Sequence, residues 1–362
     1  MHPENADSRE IRQRPHEMLE GMDLPNGWKV VQRIDQPKDS TGGSFSCGYI
    51  VEHADGRRGY LKAFDFYSGM MNSPDPARVL QPLLESFNFE RDLLDKCRER
   101  RLSRIVLALE HGAVQVGDAA HPASTVQYII FELAEGDIRH QLDSVVDFTP
   151  SWALRVLHHV AVGLRQLHGI GVAHQDLKPS NVLQFENRTS SKLADLGRAA
   201  ERGKQPPHYA VDFAGDRGYA PPEYLYGAGS PLSWEQKRLG CDIYHLGSLL
   251  CSLFTTVGMT PMIMLGLDPS LYWQNWRGPY EDALVFLRPA FEDAVQYVEG
   301  ELPSNLRNTL GSVLRQLCDP DPQRRGHPLD RAGMGSPFGL ERYISLFNRL
   351  AVEALFQITR IP

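Results

Sequence analysis

The sequence has few of the features that mark a secreted, disulfide-linked or nucleic-acid-binding protein. Its five cysteines are odd in number and form no Cys-x-x-Cys pair, which is typical of reduced packing residues in a cytoplasmic protein. A net charge of −7 and a pI near 6.0 exclude the strongly basic balance of a nucleic-acid-binding domain. The first seven residues also lack the basic start and apolar core of a signal peptide. We therefore expect a cytoplasmic protein without a nucleic-acid partner.

Long apolar runs are scarce as well, with one exception. Residues 243–267 contain no Asp, Glu, Lys or Arg, and the run is long enough for a membrane helix. It begins directly after Asp242, however, contains His245 and is interrupted at Thr260-Pro261. A helix that is apolar on all sides is also typical of a protein core. We predict a buried core helix and no membrane span.

The most informative stretch that is present is His174-Gln-Asp-Leu-Lys-Pro-Ser-Asn181, followed by Asp195-Leu-Gly197. Together the two runs supply two carboxylates, one ammonium group and one amide at a fixed spacing. Phosphoryl transfer from a magnesium-bound nucleotide needs such a set: a group that orients the attacking hydroxyl, a cation for the γ-phosphate, and oxygen ligands for the metal. This pattern therefore favours a phosphotransferase.

The two runs resemble the catalytic loop and the metal-binding turn of protein kinases, H-R-D-x-K-P-x-N and D-F-G. The resemblance implies that Asp176 accepts the proton of the substrate hydroxyl and that Lys178 contacts the γ-phosphate. It also implies that Asn181 and Asp195 hold magnesium. ATP and Mg²⁺ are thus the expected cosubstrate and cofactor.

The remaining parts of a kinase are present in the expected order. Lys62, in Gly59-Tyr-Leu-Lys62, stands where kinases keep the lysine that binds the α- and β-phosphates. Helical spacing of apolar residues predicts a helix over 85–101, and Glu90 on it is the expected partner of Lys62, with Glu85 as the rival.

Three later segments complete the resemblance. They are Gly215-Asp-Arg-Gly-Tyr-Ala-Pro-Pro-Glu223, Cys241-Asp-Ile-Tyr-His-Leu-Gly247 and Asp319-Pro-Asp-Pro-Gln-Arg-Arg325. In the second, a buried aspartate is expected to bind the backbone of the catalytic loop. The other two predict a buried ion pair between Glu223 and Arg325.

The loop that covers the phosphates in kinases is only partly matched by residues 41–48. Its expected nucleotide contacts are Gly43, Ser44, Phe45 and Gly48. Gly48 replaces a valine that covers the adenine in the family, and Tyr60 replaces an alanine. We suggest that the ring of Tyr60 fills the gap and stacks on the base; the alternative is that it packs outward.

The other nucleotide contacts are predicted from the apolar run 126–133, which resembles the fifth strand and the hinge of kinases. Phe131 would guard the back of the pocket, and backbone groups near Glu132 and Ala134 would bind the adenine edge. Leu183 would form the floor beneath the base.

Two departures from the family pattern concern regulation. Gln175 replaces the arginine that usually pairs with an activation-segment phosphate, and residues 195–223 contain no Ser or Thr. We therefore predict activity that is independent of phosphorylation of this segment. Asp216 stands where the family has a threonine whose side chain bridges the groups at Asp176 and Lys178. Its negative charge is expected to raise the proton affinity of Asp176.

The expected fold class is α+β, a bilobal protein-kinase-like fold with a small β-rich N-lobe and a larger helical C-lobe. We predict an N-terminal arm over 1–27 that is either flexible or a short helix packed on the N-lobe. The N-lobe is expected over 28–134, the C-lobe over 135–350, and a helix end with a tail over 351–362. The aromatic-rich region 260–308 and the last helix are candidate docking surfaces for protein partners.

The resemblance implies a Ser/Thr protein kinase that acts on protein substrates and is similar to the free-standing bacterial members of the eukaryotic-like family. Two alternatives stay open. One is a nucleotide-binding pseudokinase scaffold, and the other is a small-molecule phosphotransferase.

Overall fold

The computed structural model describes residues 14–34, 46–117, 124–143, 148–208, 213, 215–227 and 232–358. The chain divides into two compact units. The first unit comprises residues 1–91 and 107–133, and the second comprises residues 92–106 and 134–362.

The first unit is built on one antiparallel sheet with the strand order β1-β2-β3-β5-β4. The strands are β1 (Trp28–Ile34), β2 (Ser46–His53), β3 (Arg58–Phe64), β4 (Ala108–Gln115) and β5 (Thr125–Glu132). In β3, Gly59, Leu61 and Ala63 are buried, and they alternate with the half-buried Tyr60 and Lys62. Because successive strand residues point to opposite faces, Tyr60 and Lys62 lie on the same face of the sheet.

The N-terminal segment 14–27 packs onto this sheet, which was the predicted alternative to a flexible arm. Leu19 and Leu24 belong to the same buried cluster as Trp28 and Val30, and Leu19 is completely buried. The hydroxyl of Tyr49 also donates to the carbonyl of His16 at 2.7 Å. The polar composition of the first residues hid these two leucines, which supply the apolar area that holds the segment in place.

Within the described residues, one cluster in this unit combines side-chain types that bind metals: His16, Glu17 and Cys47. The guanidinium of Arg33 already lies 3.1 Å from the Glu17 carboxylate and 3.7 Å from the Cys47 sulfur. Burial also raises the pKa of the Cys47 thiol, which favours the neutral form that is the poorer metal ligand. The chain itself therefore supplies the cation for this cluster.

Helices α1 (Tyr67–Met71) and α2 (Pro76–Glu99) follow the third strand. Helix α2 begins nine residues before the predicted start at Glu85. Asp75 caps it, since its side chain accepts from the backbone N–H of Arg78 at 3.2 Å, and Pro76 occupies the first helical position. The internal Pro82 concealed this start in the sequence because proline usually ends a helix.

The second unit is mostly helical and has only short strands. Its strands are β6 (Gly136–Asp137), β7 (Val172–Ala173), β8 (Val182–Phe185), β9 (Ser190–Leu193) and β10 (Ala200–Glu201). Its helices are α3 (Ile138–Asp143), α4 (Pro150–Gly169), α5 (Pro222–Tyr226), α6 (Gly240–Thr255), α7 (Met259–Leu265), α8 (Tyr280–Glu301), α9 (Ser304–Leu317), α10 (Pro328–Arg331) and α11 (Glu341–Ile358). A sheet-rich first unit and a helical second unit confirm the predicted α+β fold class.

The uncharged run 243–267 forms α6 and α7. Every residue of α6 from Gly240 to Leu253 is buried, as predicted for a core helix. The chain breaks at Thr256, where φ is +63°, rather than at the predicted Thr260-Pro261, because Pro261 lies in the first turn of α7, where proline is tolerated. In the described part of the chain no single helix has the length and hydropathy to cross a membrane; residues 235–255 and α7 meet that test only as a pair bent by 76°.

Candidate active site

The catalytic loop of the second unit is held in place by the buried Asp242. Its carboxylate accepts from the backbone N–H groups of His174 and Gln175, both at 2.8 Å, and contacts Nε2 of His168 at 2.8 Å. Burial alone would raise the pKa of Asp242, but the hydrogen bond and charge of His168 outweigh it and lower that pKa. Asp242 therefore stays ionised and fixes the loop backbone.

Asp176 sits at the centre of the loop with both carboxylate oxygens contacted. The backbone N–H of Asp216 donates to Oδ1 at 2.9 Å. Oδ2 lies 3.1 Å from Nδ2 of Asn181 and 3.3 Å from Nζ of Lys178. Burial raises the pKa of Asp176, and the charge of Lys178 and the N–H of Asp216 oppose that rise. The result is an oriented carboxylate whose pKa is shifted toward the range useful for a base.

The predicted metal ligands lie beside this carboxylate. The side-chain NH₂ of Asn181 donates to the carbonyl of Asp176 at 2.7 Å, and this fixes the orientation of the amide. Its side-chain oxygen makes no hydrogen bond with any described residue. The backbone N–H of Ala194 donates to the carbonyl of Asn181 at 2.9 Å, which brings Asp195 next to it. One amide oxygen and one carboxylate form an oxygen donor set of the kind that Mg²⁺ prefers.

Asp216 contacts the catalytic group differently from the prediction. Its charge was expected to raise the pKa of Asp176, but its contact with that carboxylate is a backbone N–H, which lowers the pKa. Its own side chain accepts from the backbone N–H of Gly218 at 2.9 Å and lies 3.5 Å from Nζ of Lys178. The pKa of Asp176 is raised by burial instead.

Gly215 allows this approach of the two segments. A Cβ at this position would lie 2.6 Å from the carbonyl oxygen of Gln175 and 3.1 Å from Oδ1 of Asp176. Only glycine leaves room for the backbone here. In the sequence, Gly215 is recognisable only as the first residue of the kinase-like segment 215–223. Its role in bringing Asp216 to Asp176 depends on the tertiary fold.

Lys62 of the first unit is paired with Glu90 on α2. Nζ of Lys62 lies 3.0 Å and 3.2 Å from the two carboxylate oxygens of Glu90, which is 3% exposed. The rival Glu85 is exposed and accepts instead from the side chain of Gln81 at 2.8 Å. The pair holds an ammonium group on the same sheet face as Tyr60; its role in binding phosphates stays a prediction.

The ring of Tyr60 covers Gly48, as the reasoning from the sequence suggested. Gly48 is paired with Lys62 across the sheet, so a side chain at this position would point to the same face as Tyr60. A Cβ on Gly48 would lie 2.6 Å from the hydroxyl oxygen of Tyr60 and 2.8 Å from its ring. The aromatic ring therefore occupies the space that a valine side chain would take.

The other predicted nucleotide residues lie in three places. Phe131 is buried and pairs with Tyr60 across the sheet, and the backbone N–H of Glu132 donates to the carbonyl of Leu107 at 3.0 Å. Ala134 and Leu183 are half-buried residues of the second unit. The residues 43–45, with Gly43, Ser44 and Phe45, lie outside the described part of the chain. The nucleotide-binding role of all these residues stays a prediction.

Gln175, in the position of the usual arginine, is 1% exposed, and both ends of its amide are used. Its NH₂ group donates to the carbonyl of Arg238 at 2.8 Å and to Asp242 at 3.2 Å, and its oxygen accepts from the guanidinium of Arg238 at 3.0 Å. Its backbone has a φ of +68°, a strained conformation for a residue with a side chain. Sequence reasoning missed Arg238, which no motif marks.

The predicted pair of Glu223 and Arg325 is present and buried. The two guanidinium nitrogens lie 2.5 Å and 2.6 Å from the two carboxylate oxygens, with side chains 0% and 1% exposed. Arg325 also donates to the carbonyl of Asp319 at 2.7 Å and stacks on the ring of Tyr244 at 4.8 Å. Burial alone would lower the pKa of Arg325, but the carboxylate of Glu223 outweighs it and raises that pKa.

These motifs and their geometry agree with the comparison to protein families. The chain belongs to the protein kinase domain family, whose model matches residues 81–329. The recognition of the family from the sequence motifs is thereby confirmed.

The relatives that match carry kinase names. The chain is 25% identical over 250 residues to mitogen-activated protein kinase 11 of Arabidopsis thaliana, covering 65% of this chain and 64% of that protein. It is 27% identical over 248 residues to mitogen-activated protein kinase 5 of the same plant, covering 64% and 63%. It is 25% identical over 211 residues to a probable serine/threonine-protein kinase of Dictyostelium discoideum, covering 57% and 22%. The chain thus spans less than two thirds of each of these relatives, and the expected bacterial source stays a prediction.

Proposed function

We propose that this chain transfers the γ-phosphate of ATP to Ser or Thr hydroxyls of proteins in the presence of Mg²⁺. The observation that carries the proposal is the fixed carboxylate of Asp176, held by the N–H of Asp216 and lying 3.1 Å from Asn181 and 3.3 Å from Lys178. A base in this setting can accept the proton of an attacking hydroxyl. Transfer of labelled phosphate from MgATP to the chain itself or to a basic protein, recovered as phosphoserine or phosphothreonine, tests it.

The other residues take roles that follow from their chemistry. Lys178 is the cation for the transferred phosphoryl group, since its ammonium group stays beside the base. Asn181 and Asp195 would hold Mg²⁺, which neutralises phosphate charge when bound. In the first unit, Lys62 is proposed to contact the nucleotide phosphates, oriented by Glu90.

We further propose that activity does not need a phosphate on residues 195–223. Gln175 is buried and its amide is already satisfied, so it offers no free donor to a phosphate. The segment contains no Ser or Thr, and its only hydroxyl-bearing residues are Tyr209 and Tyr219. Tyr209 lies outside the described residues.

Removing the phosphate acceptor is therefore expected to leave activity unchanged. Tyr209→Phe should keep kcat/KM within about twofold of the wild type. The reason is that Gln175 carries no positive charge that could pair with a phosphate on this segment. Phosphatase-treated wild type should behave the same way when assayed with labelled MgATP. A stoichiometric phosphate at Tyr209 in active enzyme, whose removal stops transfer, would contradict this proposal.

The pair of Gly48 and Tyr60 yields a prediction about nucleotide binding. Tyr60→Ala should weaken MgATP binding about 5- to 150-fold, because stacking of a base on an aromatic ring contributes about 1–3 kcal/mol. Gly48→Val should also weaken it, since its Cβ would meet the Tyr60 hydroxyl. The double variant Gly48→Val/Tyr60→Ala carries the valine and the alanine of the family pattern. It should bind MgATP more tightly than either single variant. Calorimetric titration with MgATP measures all three.

Two controls make that result interpretable. Tyr60→Phe keeps the ring and should keep the affinity within about twofold. Inorganic tripolyphosphate lacks a base, so its binding should not change in Tyr60→Ala. Unchanged MgATP affinity in Tyr60→Ala would mean that the ring fills the space beside Gly48 without stacking on the base.

The protein substrates and docking surfaces stay predictions. In the region 260–308, Val285, Phe286 and Tyr297 of α8 are exposed, and in α11 Leu355 and Phe356 are exposed. The proposed cytoplasmic location agrees with five cysteines that are all free.

A further inference from the structure

A second polar site lies in the helical unit, away from the residues of the catalytic loop. A cavity of about 330 Å³ is formed by α4, α11 and the turn between β8 and β9. Its lining consists of Arg155, His158, His159, Thr189 and Asn348, with Ala351 and Val352. This volume is at the lower end of the range for small-molecule pockets, about 300–1,000 Å³.

His159 presents a fixed hydrogen-bond donor in this cavity. The backbone N–H of Ser191 lies 3.2 Å from Nδ1 of His159, and because a backbone N–H can only donate, Nδ1 is unprotonated. The proton of the neutral ring is therefore on Nε2. His159 is 7% exposed, and Nε2 has no hydrogen-bond partner among the described residues. An acceptor on a ligand in the cavity would give this N–H a partner.

The surroundings of His159 are positively charged. Burial, followed by the charges of Arg104, His158 and Arg155, lowers the pKa of His159 to about 3. Within the described part of the chain, the Arg155 guanidinium makes no ion pair or hydrogen bond, and the Asn348 side chain makes no hydrogen bond. No Asp or Glu is among the described residues that line the cavity. The site thus offers donors and positive charge without a carboxylate to satisfy them.

We propose that this cavity, the α4–α11 pocket, binds a small anion that carries a phosphate group. A phosphate offers several acceptor oxygens to donors that converge from different sides, and a guanidinium matches its geometry. The pocket lies at the turn of the β8–β9 hairpin, which follows Asn181 and leads to Asp195. An anion bound at its turn would contact the segment that joins the two proposed metal ligands.

Binding of inorganic phosphate to the full chain tests the proposal. Calorimetric titration at constant ionic strength should show saturable binding to the wild type. Arg155→Gln should raise the dissociation constant about tenfold or more, because hydrogen bonds to charged groups are the strong ones. Asn348→Asp provides a second variant at an exposed helix position that does not endanger folding, and its added carboxylate should have a similar effect.

Matched controls separate this site from other anion sites. Arg165→Gln, at an exposed position of the same helix, should leave phosphate binding unchanged. Phosphate bound at the proposed nucleotide site would instead be lost in Lys62→Met and retained in Arg155→Gln. That pattern, an absence of saturable binding to the wild type, or equally tight binding of malonate would each overturn the proposal.

Discussion

Asp176→Asn is expected to reduce phosphate transfer from MgATP by about 10²–10⁴-fold, the contribution typical of a positioned general base. The asparagine has nearly the same shape, and its side-chain oxygen can still accept from the N–H of Asp216. What it loses is the ability to take the proton of the attacking hydroxyl. Steady-state rates with a Ser/Thr-bearing peptide measure the effect, and MgATP binding should change little.

Asp216→Asn is the matched control, because it makes the same change at the neighbouring carboxylate. The contact of Asp216 with Asp176 is a backbone N–H, which the substitution leaves in place. Its side chain lies 3.5 Å from Nζ of Lys178 and is partly exposed, so the lost attraction is at most about 1 kcal/mol, or about fivefold in rate. If Asp216→Asn were as inactive as Asp176→Asn, the side chain of Asp216 would be part of the catalytic machinery. If neither variant lost activity, the proposed function would be wrong.

The pH dependence of the wild type offers an independent check of the same group. A general base must be deprotonated to work, so kcat/KM should fall as the pH drops through the pKa of Asp176. Burial raises that pKa, and the acid limb should therefore lie above the ordinary aspartate value of about 3.9. A limb at or below that value would contradict the assignment.

Residues whose role depends on a local pattern could be predicted from the sequence. The spacing of Asp176, Asn181 and Asp195 is encoded within one loop and the hairpin that follows it. Glu90 was preferred over Glu85 because Leu94, four residues on, stands where the family has an apolar residue beneath the helix, and the structure pairs Glu90 with Lys62. In each case both the type of residue and its spacing from its neighbours can be read directly from the sequence.

Contacts that depend on distant segments could not be predicted in the same way. Arg238 reaches the amide of Gln175 from 63 positions along the chain, and nothing in its own neighbourhood indicates this. The backbone contact of Asp216 with Asp176 was mistaken for an effect of charge, because the sequence shows side chains but not which backbone group will approach. The α4–α11 pocket was missed for the same reason, since three separate segments supply it.

Arg325→Met is expected to destabilise the helical unit by about 3–5 kcal/mol, the cost of breaking a buried ion pair by removing one partner. Methionine fills part of the volume, but the carboxylate of Glu223 would stay buried without its cation. The backbone carbonyl of Asp319 would also lose its donor, whereas that of Pro320 keeps the hydroxyl of Tyr280. Urea-induced unfolding followed by circular dichroism measures the change in the free energy of unfolding.

Arg342→Met is the control for removal of an arginine from an ion pair. Its partner Asp330 lies 3.0 Å away, but the side chain of Arg342 is 48% exposed, so the loss should stay below about 1 kcal/mol. The double variant Glu223→Leu/Arg325→Met removes both charges and should be more stable than Arg325→Met alone, because no carboxylate is then left unpaired. If Arg325→Met cost no more than Arg342→Met, the pair would not anchor the segment that follows Gly215. If the double variant were the less stable one, packing and backbone contacts of Arg325, rather than its charge, would hold that segment in place.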